Sequence, residues 1–261
     1  MRKVDELKHV SMEVRKKLLV MIAQAKAAHI GSSLSAIEIF VACMETLQDS
    51  DSLIVSKGHA AAGYYATLVE FGILSEQDLK TYGTNGSRLF GHVTRDVSLG
   101  IPFSTGSLGH GLPYGVGLAL GLKRKNRAGK IFVIASDGEM NEGTTWESAL
   151  LANHNGLDNL VLIVDRNGIQ SIGDTEATLR LEPLDLKWRS FGWHVEEVDG
   201  HDLSSLLFAL RKSVSGKPIV LIAKTIKGKG VSFMEGDNLW HYKSPNQEEL
   251  KSALDEVSRN K

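Results

Sequence analysis

Short apolar runs alternating with helix-length segments constrain this chain more than any other feature. Residues 131–135 and 160–164 are continuous, β-branched and without polar alternation, as strands are when both faces of a parallel sheet are covered. A helix from about 144 to 155 separates them. Residues 219–223 make a further strand, preceded by a strand at 194–198 and an amphipathic helix around 203–214. Upstream, 53–56 reads as a buried strand that passes through Lys57-Gly58-His59 into a helix of small residues, 60–71. Repeated strand and helix with right-handed crossovers predict an α/β fold: a doubly wound, mainly parallel sheet with helices on both faces.

Ahead of the first strand, Val4, Leu7, Val10, Val14, Leu18, Met21, Ile22 and Ala25 follow three-four spacing. This predicts one amphipathic helix over about 2–28, with Gly31 as its stop. Ser35 is the expected N-cap of a second helix, 36–47, with Glu38 completing a capping box. Residues 72–118 and 168–185 are loop-rich, and long ordered loops in such a sheet usually carry function.

A length of 261 residues allows one large domain, read as 1–261. With 42% hydrophobic and 23% charged residues, disorder and a membrane-embedded chain are excluded. The net charge of −1 leaves no nucleic-acid footprint. One cysteine, Cys43 in an apolar segment, forms no intrachain disulfide and indicates a reducing compartment. The longest weakly polar stretch, 111–122, is too short and glycine-rich to span a membrane. These features together predict a cytoplasmic protein with no membrane contact.

Glycine is in excess, 26 residues, and several fall where chemistry is expected. Ser136-Asp137-Gly138 follows a strand and Gly143-Thr144 opens a helix. Gly138 to Gly143 has phosphate-loop spacing, but Thr144-Thr145 follows where lysine and a hydroxyl residue belong. Gly115, Gly117 and Gly121 have dinucleotide-fingerprint spacing, yet no strand precedes them. A third reading joins Asp137 to Asn167, each beyond the end of a strand in one β-α-β unit and so at one edge of the sheet. Carboxylate and amide oxygens there suit Mg²⁺ completed by phosphate and water, while Gly138 and Gly143 let backbone approach a diphosphate. The plain alternative is a helix cap at Asp137 and a turn at Asn167-Gly168.

Asp137-Gly138 followed after 28 residues by Asn167 resembles the thiamine-diphosphate motif of transketolases. Ala28-His29-Ile-Gly-Ser-Ser, Val55-Ser-Lys-Gly-His59, Phe90-Gly-His92, Ser104-Thr-Gly-Ser-Leu-Gly-His-Gly111, Lys224-Thr-Ile-Lys-Gly-Lys-Gly230 and Leu239-Trp-His241 are similar to that family as well. The resemblance covers about residues 10 to 245 and is to the N-terminal half.

It implies thiamine diphosphate with Mg²⁺, or Ca²⁺ or Mn²⁺ as substitutes, held by Asp137, Asn167 and the Ile169 carbonyl. Gly138 and His59 would contact the diphosphate with His241 nearby, and Gly106 and Leu108 would line the cleft. His29, His92 and His241 would act on the sugar, where imidazole's near-neutral pKa suits proton transfer. Glu142 and Glu147 carry either a favourable helix N-terminal charge or, by the resemblance, an interface between subunits. His9, His154 and His201 read as structural, and His110 stays undecided. Ser136 departs from the family's usual glycine.

The resemblance further implies a missing half. The glutamate that activates the cofactor belongs to a second, pyrimidine-binding domain in this family, and the sequence ends at Lys261. The expectation is the N-terminal subunit of a split transketolase, paired with a C-terminal subunit in a heterotetramer and acting on sugars. A ketoacid-using enzyme similar to 1-deoxyxylulose-phosphate synthase, or a regulatory half-domain, are the other readings.

Overall fold

The computed structural model describes residues 2–259. Met1, Asn260 and Lys261, included in the expected 1–261 domain, lie outside them. Five strands form one sheet: β1 (Ser52–Val55), β2 (Ile131–Ser136), β3 (Leu160–Arg166), β4 (His194–Asp199) and β5 (Ile219–Lys224), in the order β1-β2-β3-β5-β4. All pairs are parallel, with Val55 opposite Ile134, Ser136 opposite Asp165 and Arg166 opposite Lys224. The carboxyl ends of β1, β2 and β3 therefore meet at one edge. The expected α/β architecture holds.

Alternation along the strands divides the core. Phe132, Ile134, Val161, Ile163 and Leu221 pack with the helices Val4–Ala25, Ile37–Thr46 and Ala61–Glu70. Ile131, Val133, Leu160, Leu162 and Val220 face the opposite way, onto Gly111–Arg124, Gly143–His154 and Trp188. Each such side chain contributes about 1.5–3 kcal/mol when fully buried, and both faces are filled.

Four local expectations change. The first helix ends at Lys26, which takes φ 49, and not at Gly31. Gly31 lies inside a short helix, Ile30–Leu34. The break has a tertiary cause: His29 sits at φ 71 while its N–H donates to the His241 carbonyl at 2.8 Å. Ser35 does not cap the next helix, whose N-cap is Ala36. Its hydroxyl donates instead to Asp165 at 2.7 Å, and Glu38 is taken by Arg15 and His201.

The region 72–118, expected to be loop-rich, contains the short helix Glu76–Leu79 and the first residues of Gly111–Arg124, and 168–185 contains the short Thr175–Thr178. Gly115, Gly117 and Gly121 all lie within Gly111–Arg124, which removes the dinucleotide fingerprint. Close packing explains glycine at Gly115, where a Cβ would stand 2.6 Å from Val133 Cγ2 on β2. Among the described residues no helix is long and apolar enough to cross a membrane.

Candidate active site

Asp137 follows β2 directly and its side chain is buried, 1% exposed. Oδ1 accepts from the Gly138 N–H at 2.8 Å and Oδ2 from the Gly168 N–H at 2.7 Å. Arg166 Nη1 stands 3.3 Å from Oδ2. On the neighbouring turn, Asn167 Oδ1 accepts from the Ile169 N–H at 3.1 Å. Asp137, Gly138, Asn167 and Ile169 are thus brought together.

The plain reading is satisfied too, since Asp137 caps the turn Gly138–Asn141 and Gly168 takes φ 80. A cap, however, gains nothing from being buried. Burial, with Asp165 beside it, raises the Asp137 pKa against the pull of Gly168 N–H and Arg166. A carboxylate kept at that cost points to a cationic ligand.

Two observations test whether an ion and a diphosphate fit. Among the described residues no three His, Cys, Asp or Glu side chains form a metal cluster. An ion here would have one carboxylate, one amide and carbonyl oxygen, and would need further oxygens from a ligand and water, which is how Mg²⁺ is commonly held. Among the described residues, Ser136 Oγ is buried without a hydrogen-bond partner. An orphaned hydroxyl costs about 1–3 kcal/mol, and a phosphate oxygen would satisfy it. The serine in place of glycine is compatible with the group.

The four singled-out histidines converge although they come from four separate segments. The His29 ring centroid lies 5.7 Å from that of His59, 5.3 Å from His92 and 5.0 Å from His241, and His59 is 5.9 Å from His241. Gly106 lies against His92, where a Cβ would be 3.4 Å from the ring. Leu108 is half-buried two residues on, in the turn leading to Gly111–Arg124.

Three of these rings are pushed below the ordinary imidazole value. Burial, then the charge of neighbouring groups, lowers His29 to about 4 and His241 to about 3, and puts His59 well below its ordinary value. At neutral pH these three rings are neutral. The unfolded chain takes up protons near pH 6.5 that the folded chain refuses, so stability falls as pH drops from about 6.5 toward 4. Melting temperatures across that range are expected to slope accordingly, with a shallower slope in His29→Asn. An unchanged slope in that variant would contradict neutral burial of His29.

Two lysines carry no role in the sequence reading and turn out to be fully buried. Lys57 Nζ pairs with Asp165 and donates to Ser35 Oγ at 3.1 Å. Asp165 also accepts from Ser35 and Thr225. Lys227 Nζ reaches His241 Nδ1 at 3.1 Å, Asn238 Oδ1 at 2.9 Å and the Gln170 carbonyl at 3.3 Å, without a carboxylate among the described residues. Burial, then Lys57, lowers its pKa to about 8. A buried cation lacking an anion is a place for one. The motif Lys224-Thr-Ile-Lys-Gly-Lys-Gly230 is visible in the sequence, but only the fold separates Lys227 from Lys224 and Lys229, which pair with Glu197 and Glu235.

Glu139 has no role in the sequence reading either. It is buried, which raises its pKa, and it ties three segments together by accepting from Ser56 Oγ, the Gly109 N–H at 2.8 Å and the Ser136 N–H at 3.4 Å. Glu142 and Glu147 stay outside the cluster, exposed at the start of Gly143–His154 and without an ion pair among the described residues. His9, His110 and His154 are exposed. His201 packs on Glu38 at 3.0 Å, a structural pair.

A parallel sheet with a buried Asp-Gly turn, an Asn turn and, among the described residues, a buried lysine without a carboxylate at its carboxyl edge marks an α/β domain suited to an anionic ligand. Residues 8–258 match the family described as transketolase, thiamine diphosphate binding domain, and the chain belongs to the transketolase family. It is 41% identical over 265 residues to an apulose-4-phosphate transketolase subunit of Actinobacillus succinogenes, covering 97% of this chain and 96% of that protein. It is 36% identical to a 6-deoxy-6-sulfo-D-fructose transketolase subunit of a Clostridium species, covering 97% of each. The transketolase structure from Campylobacter jejuni superposes with a TM-score of 0.90 at 28% identity, over 98% of this chain and 43% of that one. The chain thus matches these two relatives, each named as one subunit of a transketolase, in length and spans less than half of that solved transketolase.

Proposed function

We propose that this chain is the N-terminal, diphosphate-binding subunit of a transketolase-type enzyme that moves a two-carbon ketol unit from a ketose donor to an aldose acceptor. The observation that carries this is the meeting of the Asp137 and Asn167 turns with Lys227 and four histidines at one sheet edge, in a chain of this family. Asp137, Asn167 and the Ile169 carbonyl hold the ion, Mg²⁺ or in its place Ca²⁺ or Mn²⁺. Gly138 and His59 meet the diphosphate, with Lys227 and Ser136 Oγ supplying charge and a hydrogen bond.

When bound, thiamine diphosphate supplies carbanion stabilisation. The chain's own residues bind and orient. Gly106 and Leu108 line the cleft, while His29, His92 and His241 hold the donor's hydroxyls and accept or return protons there. The lowered pKa values of His29 and His241 make them acceptors in the unliganded protein, and a negative diphosphate nearby would raise them toward neutrality.

A separate pyrimidine-binding subunit completes the site, in a heterotetramer in the cytoplasm, with Glu142 and Glu147 at the interface between copies. That the relatives of matching length are themselves named as transketolase subunits supports such a partner. Their names also put anionic ketoses first among donors to try. With partner, Mg²⁺ and thiamine diphosphate present, ketose phosphates or sulfonates are expected to be consumed with an aldose acceptor. Turnover of pyruvate in their place would move the assignment to a ketoacid-using enzyme.

A further inference from the structure

Arg166 ends β3 with its side chain 11% exposed and with all five of its N–H donors drawn into contacts. Nη1 donates to Thr175 Oγ1 at 2.7 Å and stands 3.3 Å from Asp137 Oδ2. Nη2 reaches Glu176 Oε1 at 2.8 Å and Glu182 Oε1 at 3.0 Å, and Nε reaches Glu182 Oε1 at 3.2 Å. One guanidinium thus serves three carboxylates. Among the described residues it is the only cation within ion-pair distance of Asp137.

We propose that Arg166 is a built-in counter-cation of the ion site, holding Asp137 in the cofactor-free chain and yielding it to the divalent ion while keeping Glu176 and Glu182. This rests on the reading of Asp137 as an ion ligand and adds a residue to which that reading gives no part.

The contact lengths give the direction. The contacts to Asp137 and from Nε to Glu182 are the long ones, but Glu182 is reached twice and Asp137 once, so Asp137 is the arm most easily released. Releasing it leaves two glutamates to neutralise the guanidinium, which avoids the penalty of an unpaired buried charge. Before the ion arrives, the same contact opposes burial at Asp137. Arg166 also links the ion site to the segment carrying Thr175, Glu176 and Glu182, whose Glu176 carboxylate further accepts from the Leu181 N–H at 3.2 Å.

Magnesium is titrated calorimetrically into the assembled complex of this chain and its partner at saturating thiamine diphosphate. Arg166→Gln removes a competing positive charge and is expected to bind Mg²⁺ about tenfold more tightly. Arg166→Lys, which keeps the charge, stays near wild type. Glu182→Gln removes one of the groups that draw Arg166 away, and is expected to weaken Mg²⁺ binding about two- to threefold. Affinity in Arg166→Gln equal to or weaker than wild type overturns the proposal. Should that variant fail to fold, unchanged affinity in Glu182→Gln overturns it. Asp137→Asn separates the two levels: if it leaves Mg²⁺ affinity intact, the ligand reading falls and takes this inference with it. If Asp137→Asn weakens binding while Arg166→Gln changes nothing, only the role of Arg166 falls.

Discussion

Asp137→Ala is expected to weaken Mg²⁺-dependent binding of thiamine diphosphate by at least about a hundredfold, because loss of an ion ligand exceeds the roughly 10–100-fold cost of losing an outer-shell partner. The cofactor-free fold should survive. The wild-type carboxylate is disfavoured by burial, so removing it relieves one cost, while the Gly168 N–H loses its acceptor at about 1–3 kcal/mol. The Gly138 N–H and Arg166 lose a contact as well, so a lowered but cooperative melting transition is expected. Calorimetry with and without Mg²⁺, beside a melting curve of the cofactor-free variant, separates the effects. Unchanged affinity in a well-folded variant would show that the Asp137 turn is only a cap.

Lys57→Met gives the largest expected loss of stability. Its ammonium and the Asp165 carboxylate are both fully buried, and the carboxylate is held in its charged form, against burial, by Lys57, Thr225 and Ser35. Removing one partner of a buried pair costs about 3–5 kcal/mol because the other charge remains uncompensated. At roughly 2–4 °C per kcal/mol for a chain of this size, the melting temperature falls by about 10 °C. Lys57 lies just beyond β1 and Asp165 on β3, the strands on either side of the one that leads into Asp137, so the variant should bind cofactor weakly even where it stays folded. Restoration by Asp165→Asn on top of Lys57→Met is expected to be partial, since Ser35 and Thr225 keep an acceptor. A Lys57→Met chain as stable as wild type would show that the pair is not coupled in solution.

How much of this was legible in the sequence depends on whether its cause is local. Continuous β-branched runs mark β2, β3 and β5 because strands covered on both faces need apolar side chains at every position. The Asp137 and Asn167 turns were legible because parallel connection forces both to one edge. The break at Lys26 was not. His29 takes a left-handed conformation to meet a carbonyl at His241, more than two hundred residues away, and no local pattern records that. Ser35 illustrates the same limit: a residue ideal for an N-cap is recruited by a buried aspartate on β3. The histidine cluster was reached through family motifs and not through spacing, and Lys57, Lys227 and Glu139 were missed because a charged residue reads as surface until the fold shows it buried. Burial likewise lowers the pKa of His29, His59 and His241, which the residue type alone does not show.

The central claim, that this chain supplies the diphosphate half of a two-chain ketol-transfer site, is tested most directly by measuring aldose-dependent ketose cleavage with this chain alone, its pyrimidine-binding partner alone, and the two mixed, each with thiamine diphosphate and Mg²⁺. Activity is expected only in the mixture, and is expected to vanish when the mixture contains Asp137→Ala. Full turnover by this chain alone, or an active mixture containing Asp137→Ala, would contradict the account.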